Sequence, residues 1–104
     1  MSHRRIGSRA AAGRAQLAET LPNAVVSPDE LNRTLKTVIV APLTKKKHAY
    51  PTRVQCRFAG KDGEVVLDQI RALDQSRLIR RLGTLDKAAQ VAGVRTLQAL
   101  FAWE

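Results

Sequence analysis

Residues 37–54 read TVIVAPLTKKKHAYPTRV. The apolar, β-branched run Val38-Ile39-Val40-Ala41 predicts a buried strand, and Pro42, which has no N–H to give to a sheet ladder, marks its end. A loop follows. It opens with the hydroxyl of Thr44 and runs through Lys45, Lys46, Lys47 and His48 before Tyr50-Pro51 returns the chain to extended backbone at Thr52. Three adjacent ammonium groups cannot all be buried, and they attract polyanions through a term that needs no base sequence. From these residues alone, a solvated hairpin loop and a nucleic-acid-binding loop both stand open.

On the N-terminal side, Ala24-Val25-Val26 reads as a short buried strand, and Ser27-Pro28-Asp29-Glu30 as a capping box. Ser27 caps, Pro28 takes the first helical position, Glu30 reaches back, and one helical turn runs through Leu31. On the C-terminal side, Arg53, Gln55 and Arg57 alternate with Val54, Cys56 and Phe58, giving one wet face and one core face. Gly60-Lys61-Asp62-Gly63 predicts an Asp-Gly hairpin turn into a strand over 64–73. Asp74 or Ser76 then starts a short helix through Leu78, Ile79 and Leu82, stopped by Gly83. A longer helix runs from Asp86 to Trp103, with Val94, Leu97 and Phe101 as its apolar stripe. Short antiparallel strands followed by a terminal helix predict a small α+β domain built on a β-barrel.

At 104 residues and 44% hydrophobic content the chain makes one domain with a small core, which a partner subunit would help to stabilise. A net charge of +9 favours an anionic partner: nucleic acid first, an acidic protein segment second, an anionic membrane surface third. No stretch approaches the roughly 20 apolar residues of a membrane span, and Arg4-Arg5 is not followed by a signal-peptide core, so a cytoplasmic location is expected. Residues 1–14 carry Arg4, Arg5, Arg9 and Arg14, no acid, and only Ile6 as a sizeable apolar group. Residues 1–20 are therefore expected to be a basic, mobile arm whose alanine-rich part, 10–20, has helix propensity, with the folded domain spanning 21–104. Cys56 reads as a small buried hydrophobe, and His3 and His48 are too few and too scattered for a zinc site. No cofactor or metal is implied.

The strings VIVAPLT (38–44) and YPTRV (50–54), with SPDELN (27–32) upstream and GKDGEVVLDQIR (60–71) downstream, resemble the PemK/MazF family of toxin endoribonucleases. The resemblance covers about 27–103. It implies an SH3-like barrel that dimerises, and metal-independent cleavage of single-stranded RNA by the toxin of a type II toxin–antitoxin pair. An acidic antitoxin would lie across the basic groove, and toxin and antitoxin together would bind operator DNA. A catalytically impaired homologue that only binds antitoxin or nucleic acid, and a gyrase poison of the same fold, are the alternatives.

Such cleavage needs a base for the 2′-hydroxyl, a proton donor for the departing 5′-oxygen, and positive charge where the phosphorane gathers negative charge. Thr44 matches the family's active-site threonine, although a strand-end hydroxyl bonded to its own backbone explains it too. Asp68 and Gln69 match a motif near the family's cleft, where the aspartate has a base-like role in some members. An aspartate in an apolar strand needs a donor, Arg53 or Arg71, and a structural ion pair accounts for it equally well. Lys45, Lys46, Lys47 and His48 would line the RNA groove, and Tyr50 either stacks on a base or packs as part of a turn. In one respect the chain departs from the family. Leu21-Pro22 stands where Arg-Pro belongs, Gln16 replaces an acidic residue, and the family's first strand is expected to be missing or replaced. The lost donor would fall to Arg14 or Arg53, or cleavage is weak.

Overall fold

The computed structural model describes residues 12–18, 21–45 and 50–102. The elements follow as β1 (Arg14–Ala18), β2 (Leu21–Val25), α1 (Asp29–Thr34), β3 (Thr37–Thr44), β4 (Arg53–Phe58), β5 (Lys61–Val66), β6 (Arg71–Asp74), β7 (Leu78–Thr84) and α2 (Lys87–Leu100). Single 3-10 turns lie at Leu67–Gln69 and Gln75–Arg77. The strands pair antiparallel in the order β4-β5-β3-β2-β1-β7, with β6 joining β3 off that path. The sheet curls into a half-barrel, accompanied by a short helix and a C-terminal helix that packs on its core, the α+β class expected.

β3 organises the sheet, but it does not stop at Pro42 as its sequence suggests. One edge pairs with β2, while the other is shared between β6 (Thr37 to Val40) and β5 (Leu43 and Thr44). The Val26 N–H donates to the Ile39 carbonyl at 2.9 Å, so by alternation Pro42 faces Asn23 in a non-hydrogen-bonded pair. Its missing N–H therefore points to the other edge, where pairing with β6 has ended and pairing with β5 has not begun. The proline costs the ladder nothing there, and the strand runs on to Thr44.

The N-terminal expectation is also corrected. Residues 14–18 form neither a helix nor an arm: they are β1, an inner strand between β2 and β7. Gly13, which would weaken a helix, sits at φ 79° and starts the strand, donating to the Val25 carbonyl and accepting from the Leu85 N–H. Alanines suit β1 because both of its faces are covered. Ala15 joins a core cluster with Ala24, Ala41, Leu43, Val54, Cys56, Val65 and Leu67, and Ala18 joins the other with Val25, Val38, Val40, Leu73 and Leu78. Burial and pairing outweigh intrinsic helix propensity here.

Three local readings change as well. The capping box does not form: Pro28 is the extended N-cap residue, and the Ser27 hydroxyl donates to Asn32 Oδ1 while accepting the Ile39 N–H, tying α1 to β3. The β4–β5 hairpin turns at Ala59-Gly60, both at positive φ (51° and 74°) as a type I′ turn requires, so Asp62 and Gly63 lie inside β5. The segment expected as a helix over 78–82 is β7, which gives β1 its second partner. α2 begins as expected, with the Asp86 carboxylate accepting from Ala89 N, and the same side chain accepts from Arg57 N to pin the helix to β4. Its stripe is only partly used. Leu97 packs on the core, whereas Val94 and Phe101 are exposed.

Candidate active site

Thr44, the last residue of β3, is paired with Glu64 of β5, and Glu64 is paired on its other side with Gln55 of β4. In the opposite direction, the β2–β3 register of Asn23 with Pro42, carried two residues on, sets Leu21 opposite Thr44. Directly opposed residues share a face, so Leu21, Thr44, Glu64 and Gln55 form one row across four strands. Leu21 is exposed, Thr44 is half-buried and Glu64 is wholly buried.

Arg53 stands on the face of β4 that carries Gln55, next to this row. Its Nη1 lies 3.7 Å from Glu64 Oε1, and its Nε lies 3.5 Å from Asp68 Oδ1. The guanidinium also covers the Tyr50 ring, 4.9 Å from its centroid, a cation–π arrangement. Asp68 sits on the 3-10 turn that follows β5, and its Oδ1 additionally accepts from the Thr52 hydroxyl at 3.1 Å. The buried Glu64 carboxylate accepts from Gln55 Nε2 at 2.7 Å through its other oxygen. A cation is thus set between two carboxylates at the start of β4.

Glu64 links the predicted residues: Thr44 is its neighbour on β3, and Arg53, which also contacts Asp68, is its ion-pair partner from β4, with Gln69 exposed beside Asp68 and Lys45 exposed just past Thr44. Lys46, Lys47 and His48 lie outside the described residues. Arg71 begins β6 opposite Val40, about 13 Å back along β3 from Thr44 at the usual strand rise. Of the two donors considered for Asp68, Arg53 is the one seen in contact with it, at 3.5 Å. Arg14 pairs with Thr84 at the far end of the β1–β2 hairpin from Leu21, whereas Arg53 is opposite Val66 and its guanidinium reaches Glu64, the neighbour of Thr44. The Cys56 thiol points into the core on the other face of β4. Burial first, then the carboxylates of Asp86, Glu64 and Asp62, push it up to about 11, so it is no nucleophile at neutral pH.

Glu64 is the residue that sequence reasoning missed. A turn over 60–63 would have set it opposite Ala59, whereas the turn at Ala59-Gly60 sets it opposite Gln55 and beside Arg53. The signal was available in Gly60, whose φ is one that only glycine adopts readily, and in the polar Arg53 and Gln55 on one face of β4.

A sequence profile described as "PemK-like, MazF-like toxin of type II toxin-antitoxin system" matches residues 10–101. The chain belongs to this family. The PemK/MazF profile takes in β1, in keeping with a first strand that is present. No curated protein sequence matches the chain significantly. Among solved structures, an endoribonuclease from a mycobacterial species superposes with a TM-score of 0.81 at 23% identity, covering 90% of this chain and 94% of that one. The same fold appears in an endoribonuclease in complex with its cognate antitoxin from a mycobacterial species (TM-score 0.81, 22% identity, 90% and 98% covered). MazE-MazF from Deinococcus radiodurans matches with a TM-score of 0.77 at 25% identity, covering 86% and 93%. Within this PemK/MazF fold, Thr44 ends β3 beside Glu64, and Asp68 lies on the turn after β5 in contact with Arg53 and Thr52.

Proposed function

We propose that this protein is the toxin of a type II toxin–antitoxin pair and an endoribonuclease that cuts single-stranded RNA. The observation that carries this reading is that Thr44 and the Arg53–Asp68 pair both adjoin Glu64, with Lys45, Lys46, Lys47 and His48 following Thr44 in the sequence. In this mechanism Asp68 takes the proton of the 2′-hydroxyl as its oxygen bonds to phosphorus. The bond from phosphorus to the 5′-oxygen breaks, and the departing oxygen takes a proton. The products are a cyclic 2′,3′-phosphate and a 5′-hydroxyl. Thr44 and Arg53 hold the phosphate, and the lysines draw the RNA in by charge. Leucine at position 21 gives the departing oxygen no side-chain donor across β2, so its proton comes from water and the chain binds RNA better than it cuts it.

The same leucine favours a second reading, an impaired homologue that binds antitoxin or nucleic acid without turnover. In either case the partners are an acidic antitoxin on the basic groove, a second copy of the chain, and operator DNA in company with the antitoxin; the antitoxin complexes among the matched folds support the first. Among the described residues no helix is long and apolar enough to cross a membrane, and the proposed site of action is the cytoplasm. Cleavage and binding of one labelled single-stranded RNA, measured on the same preparation, separate the two readings. Binding with turnover supports the first, and binding with none supports the second.

A further inference from the structure

Glu64 is 0% exposed in a protein whose surface is strongly basic. Both of its oxygens are engaged, Oε2 by Gln55 Nε2 at 2.7 Å and Oε1 by Arg53 Nη1 at 3.7 Å. Buried ion pairs are often no more stabilising than apolar side chains of the same size, so stability alone does not account for a carboxylate here. What the pair does is fix Arg53. In ion-pair contact with Glu64 at one end, the guanidinium brings Nε to 3.5 Å from Asp68 Oδ1, an ion-pair contact rather than a hydrogen bond, on the oxygen that also receives the Thr52 hydroxyl. Both contacts of Asp68 among the described residues fall on Oδ1, and its side chain is about one-third exposed (36%). Oδ2 is left to accept a proton.

We propose that Glu64 is a positioning residue: it anchors Arg53, and Arg53 with Thr52 orients the Asp68 carboxylate so that Oδ2 takes the proton of the RNA 2′-hydroxyl beside Thr44. This rests on the endoribonuclease reading and deepens it. Glu64 touches no substrate. It acts on the geometry of the base, where a misplacement of about 1 Å costs on the order of 100-fold in rate.

The test is steady-state cleavage of a single-stranded RNA by the full chain, with kcat and KM determined separately and folding checked by circular dichroism. Glu64→Gln should lower kcat about 10- to 100-fold with KM and RNA affinity little changed, and Glu64→Asp should recover part of the loss. Should Glu64→Gln fail to fold, Gln55→Met loosens the same carboxylate from an exposed position and should lower kcat severalfold at unchanged KM. A folded Glu64→Gln or Gln55→Met protein with unchanged kcat, or with the loss entirely in KM, would overturn the proposal while leaving the endoribonuclease reading intact. If neither the unmodified protein nor its Leu21→Arg variant cuts RNA, both fall together.

Discussion

Carried on two residues from its last pair, Asn23 with Pro42, the β2–β3 register sets Leu21 opposite Thr44, an exposed leucine across from the hydroxyl proposed to bind the scissile phosphate. A guanidinium at this position would reach the same phosphate from the other side of the row that contains Glu64 and Gln55. Leu21→Arg should therefore raise kcat by one to several orders of magnitude, consistent with the roughly 2.7–4 kcal/mol that one preorganised donor contributes to a transition state. RNA affinity should change much less. Single-turnover cleavage alongside filter binding measures both, and a variant that gains affinity but no rate would show that position 21 contributes charge alone.

The loop lysines make a separate prediction, since they act through charge and not through chemistry. Replacing Lys45, Lys46 and Lys47 together with Ala should weaken RNA binding and reduce the slope of log K against log salt by about 2, the value for three phosphate contacts on a single strand. A titration series in sodium chloride reports it. An unchanged slope would move the RNA path to the arginines of β6 and β7.

Much of this is legible in the sequence. The family strings located Thr44 and Asp68, and the alternation over Arg53 to Phe58 gave β4 and its wet face. β1 was hidden because RAQLA has one large apolar residue, Leu17, and no β-branched or aromatic one: alanine favours helices in isolation, yet here small size lets a strand sit between two neighbours with both faces covered. Pro42 misled for a related reason, since only the sheet's branching at β3 shows that its missing N–H falls where no ladder runs. The role of Glu64 depended on the hairpin register, which moved its partner from Ala59 to Gln55. Local propensity and motif carry what is decided within a few residues; β1, Pro42 and Glu64 are decided by pairing.

β1 yields the sharpest stability prediction. Deleting residues 1–18 removes an inner strand and exposes edges of both β2 and β7, so the truncated protein should be unfolded or aggregated, as seen by circular dichroism and size exclusion. A cooperative, folded 19–104 protein would return these residues to the status of an arm. Gly13→Ala should be milder, destabilising by about 1 kcal/mol or more, because φ is 79° there and a Cβ would meet Gln90 at 2.7 Å.

The Arg53–Glu64 pair should show the asymmetry of buried charges. Arg53→Met leaves the Glu64 carboxylate buried with its cation gone and should cost about 3–5 kcal/mol, whereas Arg53→Met with Glu64→Leu should recover most of that loss. Urea titrations of the two variants decide it. Equal losses would mean that the carboxylate gains little from the pair.

Cys56 sets a pH window. Its thiol ionises near 9 in the unfolded chain and near 11 in the fold, so the neutral form that folding favours contributes stability fully below about pH 9, and that contribution is lost as pH rises toward 11. Cys56→Ala should flatten the fall in stability over that range, and the native thiol should resist iodoacetamide at pH 8 until the protein is unfolded. Rapid alkylation of the native protein would contradict its placement in the core.

The central claim is that Thr44 and Asp68 form an RNA-cleaving site, and the ends of the RNA products test it most directly. Mass spectrometry of a defined single-stranded RNA incubated with the Leu21→Arg protein should find 2′,3′-cyclic phosphate and 5′-hydroxyl ends, with rates lowered at least 100-fold by either Thr44→Ala or Asp68→Asn in that background. Products with other ends, cleavage that survives both substitutions, or intact RNA after incubation with a folded Leu21→Arg protein would contradict it.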